Sequence, residues 1–222
     1  MRVKAKTPNW GIRAEGRCGS EESIELDAKS LFDSLEDGDY REPSFLEVVD
    51  NRIYFYGEVD RHRILQLNKK LRDLNISILQ DNIRWSIPET PHIYIHINSM
   101  GGPIFSGLAG MDEIMRSLTP VTTIIDGCCA SAATFMSIVG SKRLINKNAF
   151  MMIHQLSSEM WGTYSDFKDH LKNLDMFMEK VRDIYKQHTK VPQEKLDSIL
   201  KHDLWFDAKQ CLEYGLVDEI LE

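Results

Sequence analysis

Residues 121–133 read Val-Thr-Thr-Ile-Ile-Asp-Gly-Cys-Cys-Ala-Ser-Ala-Ala, and a strand, a glycine and a run of small residues follow one another in it. Val121 to Ile125 is rich in β-branched residues, which predicts a buried strand. Gly127 then leads into the small residues, which predict an Ala/Ser-rich helix. Ser131 lies in this run, where small neighbours would let a substrate backbone approach its hydroxyl. Taken alone, the same small residues are better explained by tight helix packing.

Strand and helix patterns alternate on both sides of this stretch. Further strands are predicted at Arg52–Gly57, Ile93–Ile97, Ala149–Ile153 and Leu216–Leu221. Apolar residues at steps of three and four predict helices around Ile64–Ile78 and Ile104–Met115, with others after Pro192 and from Ala208 to Tyr214. Such alternation predicts an α/β domain with much parallel pairing.

One predicted helix is unusually long. Thr163 is a good N-cap with Asp166 three residues later, and an apolar stripe then runs to Tyr185. A helix from about residue 164 to 188 would be roughly 37 Å long. Since this exceeds what a compact domain of 222 residues needs, we expect part of it to pack against another subunit.

Composition excludes several functional classes. The chain has 42% hydrophobic and 27% charged residues and a formal charge of −7, which argues against non-specific attraction to nucleic acid or anionic lipid. Residues 121–140 include Asp126 and many small side chains, so a membrane span is not expected. No apolar signal-peptide core follows the N-terminus. We expect a cytoplasmic protein without nucleic-acid or membrane partners.

Cysteine and histidine spacing indicates neither a disulfide framework nor a metal centre. The four cysteines are Cys18, Cys128, Cys129 and Cys211, with no repeated Cys-x-x-Cys spacing. His92 and His96 would lie roughly 13 Å apart along a strand. That separation is too large for both to bind one zinc ion. No cofactor is expected.

Three further segments carry residues suited to catalysis. Asn98-Ser99-Met100-Gly101-Gly102 ends a strand, and its paired glycines permit unusual dihedrals and close backbone approach. His154 ends an apolar strand, where a general base is well placed. Asp203 precedes Leu204-Trp205-Phe206 and could orient an imidazole. Taken singly, each fits an ordinary role as well: a turn, a structural histidine, or a surface or capping carboxylate.

Together and in this order, the motifs resemble the proteolytic subunit of the Clp protease. The matching segments are Tyr94–Gly102, Gly127–Ala133, Met152–Gln155, Asp203–Phe206 and Tyr214–Asp218. The resemblance spans roughly residues 50 to 222. It implies a domain at 46–222 with a Clp-protease/crotonase-like fold of repeated β-β-α units and a protruding handle helix, preceded by a divergent N-terminal arm at 1–45.

The resemblance also implies a function. Ser131 matches the nucleophile of a serine endopeptidase, His154 its general base and Asp203 the residue that orients that base. The backbone N–H groups of Gly102 and Ala132 match the oxyanion hole. Gly101, Gly102 and Gln155 match the positions that pair with the substrate strand. Expected partners are peptide or unfolded protein substrates, further copies of the chain in heptameric rings stacked as a tetradecamer, and an AAA+ unfoldase.

The chain departs from this family in several places. Met100 and Leu156 stand where prolines are usual, and residues 157–162 are bulkier than the usual glycine-rich segment. In the aromatic surface pocket that receives the unfoldase loop, Tyr94 fits, whereas His96 and Arg116 fall where aromatic residues are expected. Substrate preference, ring docking and use of the unfoldase are therefore left open.

Alternative functions remain at this stage. The segment Trp10–Gly16 loosely resembles the start of viral head-maturation proteases of the same fold, which would suggest a phage-encoded enzyme acting in the host cytoplasm. An acyl-CoA enzyme of the crotonase superfamily and a non-catalytic ring subunit share the fold. A cysteine nucleophile at Cys129 is a further alternative to Ser131.

Overall fold

The computed structural model describes residues 46–222, and the predicted arm at 1–45 lies outside the described residues. The strands are β1 Leu46–Val49, β2 Arg52–Tyr56, β3 Ile93–Ser99, β4 Val121–Ala130, β5 Lys142–Asn146, β6 Phe150–Met152, β7 Trp205–Phe206 and β8 Glu219–Leu221. The helices are α1 Arg61–Trp85, α2 Ile104–Met115, α3 Ala133–Ser137, α4 Tyr164–His188, α5 Gln193–Leu200 and α6 Ala208–Glu213. The predicted α/β class is confirmed.

One mixed sheet organises these elements. Its main strand order is β1-β2-β3-β4-β5-β8, with β1 antiparallel to β2 and the other neighbours parallel. A branch leaves this order at the far end of β4, where β6 pairs parallel with β4 and β7 pairs antiparallel with β6. The first half of β4 is buried on both faces from Val121 to Ile125, as expected for a central parallel strand. Strand β3 instead alternates buried and half-buried residues along its length.

Strand β4 changes partners along its length. Residues Thr122 to Ile125 pair with β3 on one side and β5 on the other. Beyond Gly127, which has φ +80°, Cys128 to Ala130 pair with β6 in place of β5, while Cys129 still pairs with Ser99 of β3. The prediction of a helix directly after Gly127 was therefore wrong, since α3 starts only at Ala133. Backbone pairing with a distant strand outweighs the weak local preference of small residues.

The long helix α4 has the predicted bounds. The Thr163 side chain accepts from the Asp166 N–H, and the Asp166 carboxylate accepts from the Thr163 N–H, completing a capping box. Its buried residues are Val181, Ile184 and Tyr185, all in the last two turns. The preceding turns carry partly or fully exposed side chains. Only the C-terminal end of α4 is anchored in the core of the described domain.

Three strands were not predicted from the sequence, namely β1, β5 and β7. Two of them are very short or lie at a sheet edge, where alternation is weak. Strand β5 is secured at its start by Arg143, which pairs with Asp218 and donates to the carbonyls of His188 and Gly215.

Across residues 46–222, no helix combines the length and apolarity needed to cross a membrane.

Candidate active site

Ser131 lies in a strained turn between β4 and α3. Its φ is +53°, a left-handed conformation that costs a non-glycine residue roughly 1–3 kcal/mol. The Ser131 N–H donates to the Met152 carbonyl at 2.9 Å, and the Thr134 N–H donates to the Ser131 carbonyl at 3.0 Å. Both sides of the residue are therefore held by hydrogen bonds, which keep the side chain at the end of the strand.

A continuous hydrogen-bonded chain joins the three residues predicted as catalytic. The Ser131 Oγ lies 2.8 Å from His154 Nε2, and His154 Nδ1 lies 2.9 Å from Asp203 Oδ1. In this arrangement Nδ1–H donates to the carboxylate and leaves Nε2 free to accept the serine proton. The structure thus brings together Ser131, His154 and Asp203, which are 23 and 49 residues apart.

The branch of the sheet explains how these residues meet. Met152 of β6 lies beside Ala130 of β4, so His154, two residues later, reaches the turn that holds Ser131. Trp205 of β7 pairs with Met152, so Asp203, just before β7, approaches the same place from the other side. Two short stretches of backbone pairing, β4 with β6 and β6 with β7, therefore position the three residues.

The carboxylate of this chain is open to solvent. The His154 side chain is 22% exposed, whereas the Asp203 side chain is 76% exposed. An exposed ion pair contributes little to folding stability. Asp203 is consequently better suited to selecting the histidine tautomer than to stabilising the fold.

The paired glycines pass directly against the serine turn. At Gly101, with φ +94°, a Cβ atom would lie 2.7 Å from Ser131 Cβ and 3.1 Å from the Ala132 nitrogen. At Gly102, with φ +157°, a Cβ atom would lie 2.5 Å from the Val59 carbonyl oxygen. Side chains are therefore excluded at both positions. Within residues 46–222, the N–H groups of Gly102 and Ala132 have no hydrogen-bond acceptor.

A cleft of about 500 Å³ opens beside Ser131 and His154. Gly102, Ala132 and Gln155 contribute to its wall. Its apolar lining consists of Ile104, Phe105, Phe135, Leu156, Val181 and Tyr185. The Gln155 N–H donates to the Leu200 carbonyl at 2.7 Å, so this N–H is already used within the chain. The cleft can hold an apolar side chain next to the nucleophile.

Several cleft residues were missed by sequence reasoning. Phe105 and Phe135 belong to predicted helices, but nothing in their spacing shows that two helices face one nucleophile. Val181 and Tyr185 were identified as part of an apolar stripe, which indicates burial but not the surface they cover. Their position in the cleft becomes apparent only when α2, α3 and α4 are placed around β4.

The alternative nucleophile Cys129 does not fit this geometry. Its side chain is fully buried, and burial raises its pKa to about 12. A thiol with that pKa is scarcely ionised at neutral pH and is a poor nucleophile.

His92 and His96, which were considered as metal ligands, form separate hydrogen bonds. His92 bonds the Thr122 hydroxyl, and His96 bonds the Asp126 carboxylate.

A second cleft, of about 550 Å³, lies on the other side of β4 and contains a polar network. The Asp126 carboxylate accepts from the Tyr56 hydroxyl at 2.8 Å and from the Asn146 amide at 2.5 Å. It also accepts from His96 Nδ1 at 2.7 Å, while Arg52 bonds His96 Nε2 at 3.0 Å. Burial opposes ionisation of Asp126, but these hydrogen bonds prevail and lower its pKa.

Two of the three residues considered for an aromatic surface pocket line the second cleft. They are Tyr94 and His96, which lie there together with Tyr54 and Tyr56. Arg116 is not among the residues that line this cleft. Arg116 follows the last turn of α2, where its exposed side chain bonds the Asp112 carbonyl and faces that residue's carboxylate. The pairing partner four residues earlier on the same helix keeps the guanidinium at the surface.

Comparison with known proteins assigns the chain to a family. A family model described as Clp protease matches residues 50–222, which is most of the chain. The chain belongs to the Clp protease family. A curated relative, the ATP-dependent Clp protease proteolytic subunit 1 of Streptomyces coelicolor, is 35% identical over 131 residues. That alignment covers 58% of this chain and 60% of the relative, so the match spans less than two thirds of the relative's length.

Membership of the Clp protease family agrees with the fold observed here. The matched region begins just before β2 and, of the elements within residues 46–222, includes each helix and all strands after β1. It therefore contains the two glycines, the serine turn and the segments that carry His154 and Asp203. The long helix α4 and the branched sheet agree with the fold that was predicted from the motifs.

Proposed function

We propose that this Clp protease family chain is a serine endopeptidase subunit that hydrolyses peptide bonds with Ser131, His154 and Asp203. The observation that carries the proposal is the unbroken hydrogen-bonded chain from Asp203 Oδ1 through the imidazole to Ser131 Oγ. Nucleophile, base and orienting group lie within hydrogen-bond reach of one another, which is the geometry that activates a serine.

The proposed reaction follows from these positions. His154 Nε2 takes the Ser131 proton as Oγ attacks the scissile carbonyl, and Asp203 stabilises the imidazolium that forms. The imidazolium then protonates the departing amine. His154 next deprotonates a water molecule, which attacks the acyl-enzyme and releases the second product. Each proton taken from a nucleophile is thereby returned to a leaving group.

Two backbone N–H groups are proposed to stabilise the negative charge of the intermediate. Gly102 and Ala132 border the cleft at the nucleophile, and their N–H groups are free of acceptors within the described residues. An unpaired donor beside a nucleophile is well suited to an oxyanion. Gly101 and Gly102 present open backbone on which an extended substrate could pair, and Gln155 lies across the same cleft.

Active-site labelling tests the proposed chemistry. We expect a fluorophosphonate probe to label the pure protein at one site, because the probe captures a serine whose hydroxyl is activated by a base. Mass spectrometry of the digested protein should locate the adduct in the peptide that contains Ser131. Absence of labelling in a well-assembled sample would contradict the proposal and favour a non-catalytic ring subunit.

Assembly into stacked heptameric rings is proposed from the surface of α4. Phe167 and Leu171 are 45% and 61% exposed, and Tyr164 and Met176 are more than half exposed. A helix of this length with an exposed apolar stripe is typical of an element that packs on another subunit.

The cytoplasm is the proposed location of the protein.

Light scattering coupled to size-exclusion chromatography tests this assembly. We expect a mass of about 360 kDa for fourteen 25.6 kDa chains and about 180 kDa for a single ring of seven. Leu171→Asp should shift the protein toward the smaller species because it places a charge in the proposed contact. The neighbouring Lys172→Asp serves as the matched control. A stable monomer would contradict the assembly.

An AAA+ unfoldase is the proposed partner of the assembled ring, with the second cleft as its docking place. Tyr54, Tyr56 and Tyr94 provide an aromatic wall. The charged Asp126 network at its base makes this cleft more polar than an all-aromatic pocket. A docking segment would therefore need polar as well as apolar side chains.

A further inference from the structure

We propose that Tyr185 and Thr134 are positioning residues for the nucleophile turn, acting through a buried hydrogen-bonded chain that ends on the Ser131 carbonyl. The inference rests on the proposed peptidase function. It assigns to α4 a role inside the active site in addition to the role proposed for its exposed end.

The chain of hydrogen bonds is short and runs in one direction. Thr134 Oγ1 donates to the Ser131 carbonyl at 2.6 Å and lies 2.7 Å from the Tyr185 hydroxyl. A threonine hydroxyl has one proton, and Thr134 uses it on Ser131. The Tyr185 hydroxyl must therefore donate to Thr134 Oγ1.

Both side chains are shielded from water. Thr134 is fully buried and Tyr185 is 1% exposed. Burial raises the pKa of Tyr185, so its hydroxyl is a neutral donor at neutral pH. In a site without water, a hydrogen bond is stronger and its loss leaves an unsatisfied group.

The Ser131 carbonyl matters because of the peptide unit to which it belongs. This C=O and the Ala132 N–H are part of one planar trans peptide, in which they point in opposite directions. Holding the carbonyl toward Thr134 consequently aims the Ala132 N–H away from Thr134. That N–H is the one proposed to stabilise the oxyanion, and Ala132 borders the cleft.

Backbone strain at Ser131 explains why such a restraint is needed. A serine at φ +53° tends to relax toward negative φ, and relaxation would rotate the peptide that follows. The Ser131 N–H is held by the Met152 carbonyl, and the Ser131 carbonyl accepts from the Thr134 N–H at 3.0 Å and from Thr134 Oγ1 at 2.6 Å. The Tyr185 hydroxyl, which belongs to α4, holds the Thr134 hydroxyl in the orientation that donates to Ser131. The Tyr185 ring also packs on Phe135, with centroids 5.9 Å apart.

The expected consequence is a loss of kcat with little change in KM. A misdirected oxyanion donor weakens binding of the transition state while leaving ground-state binding nearly intact. Tyr185→Phe keeps the ring and removes only the hydroxyl. We expect it to lower kcat about 5- to 50-fold, less than the 10²- to 10³-fold typical of deleting a direct donor. KM should change by less than about twofold.

A series at Thr134 separates positioning from packing. Thr134→Val is isosteric but lacks the hydroxyl, and it should lower kcat at least as much as Tyr185→Phe. Thr134→Ser retains the hydroxyl and should restore most of the wild-type kcat. Because the two groups act in series, the double variant Thr134→Val/Tyr185→Phe should be no slower than Thr134→Val alone.

Fluorogenic-peptide kinetics and the rate constant of fluorophosphonate inactivation are the two measurements. Both should fall together, since both reactions place an oxyanion in the same position. Tyr214→Phe is the matched control, because Tyr214 packs on Phe206 and lies outside the active-site cleft. The melting temperature and the elution volume of every variant check the fold and the assembly.

The outcomes are distinct. Unchanged kcat in Tyr185→Phe, a rise in KM alone, or equal losses in Thr134→Ser and Thr134→Val would each overturn the positioning role. A wild-type protein that neither hydrolyses peptide nor reacts with the probe would instead overturn the proposed function. The two failures cannot be confused, because the first requires an active wild-type enzyme as its reference.

Discussion

Ser131→Ala is expected to abolish peptide hydrolysis, with kcat falling by roughly a millionfold, as when the serine of other triads is removed. The alanine lacks the Oγ atom that lies 2.8 Å from His154 Nε2, so no acyl-enzyme can form. Residual turnover would come only from binding and from the two backbone donors. Fluorophosphonate labelling should disappear together with hydrolysis.

Ser198→Ala is the matched control for this substitution. Ser198 is an exposed residue of α5 that does not line the active-site cleft. Its replacement should leave labelling and turnover close to wild type. Ser131→Ala must also elute with the wild-type assembly, so that lost activity is not lost structure. Retention of substantial hydrolysis in Ser131→Ala would show that another group is the nucleophile.

His154→Ala is expected to have an effect of similar size, because Ser131 without its base remains a neutral hydroxyl. The loss should again approach a millionfold in kcat. The double variant Ser131→Ala/His154→Ala should be no slower than either single variant, since the two residues act as one unit. Continuous peptide-hydrolysis assays at high enzyme concentration can measure these rates.

Two further observations make the His154 prediction sharper. The cleft beside His154 has a volume of about 500 Å³, so added imidazole should enter the space left by His154→Ala and restore part of the activity. His62→Ala is the matched control, since His62 is an exposed residue of α1 that contacts Gln66. Full activity in His154→Ala would remove the basis for the proposed base.

The candidate site could be predicted from sequence to a useful extent. Ser131, His154 and Asp203 were selected because the glycine, serine, histidine and aspartate motifs occur in the order of one family, although no motif was specific alone. The structure places all three within hydrogen-bond reach.

Other features of the site could not be predicted because they depend on contacts between distant segments. The apolar stripe of α4 showed that Tyr185 would be buried, but not that its hydroxyl would meet Thr134, 51 residues away. Likewise, the neighbours Cys129 and Ser131 look equally available in the sequence. Only pairing of β4 with β6 shows that Cys129 is enclosed.

Local chemistry by itself determined the long helix, its capping box at Thr163 and the close of α6 before Gly215, because capping and helical periodicity are short-range effects. Tertiary structure decided how far β4 continues, where Arg116 points and which groups hold the Ser131 carbonyl. Those features depend on hydrogen bonds between segments far apart in sequence. The residue pattern of one segment does not identify the distant group with which that segment forms a hydrogen bond.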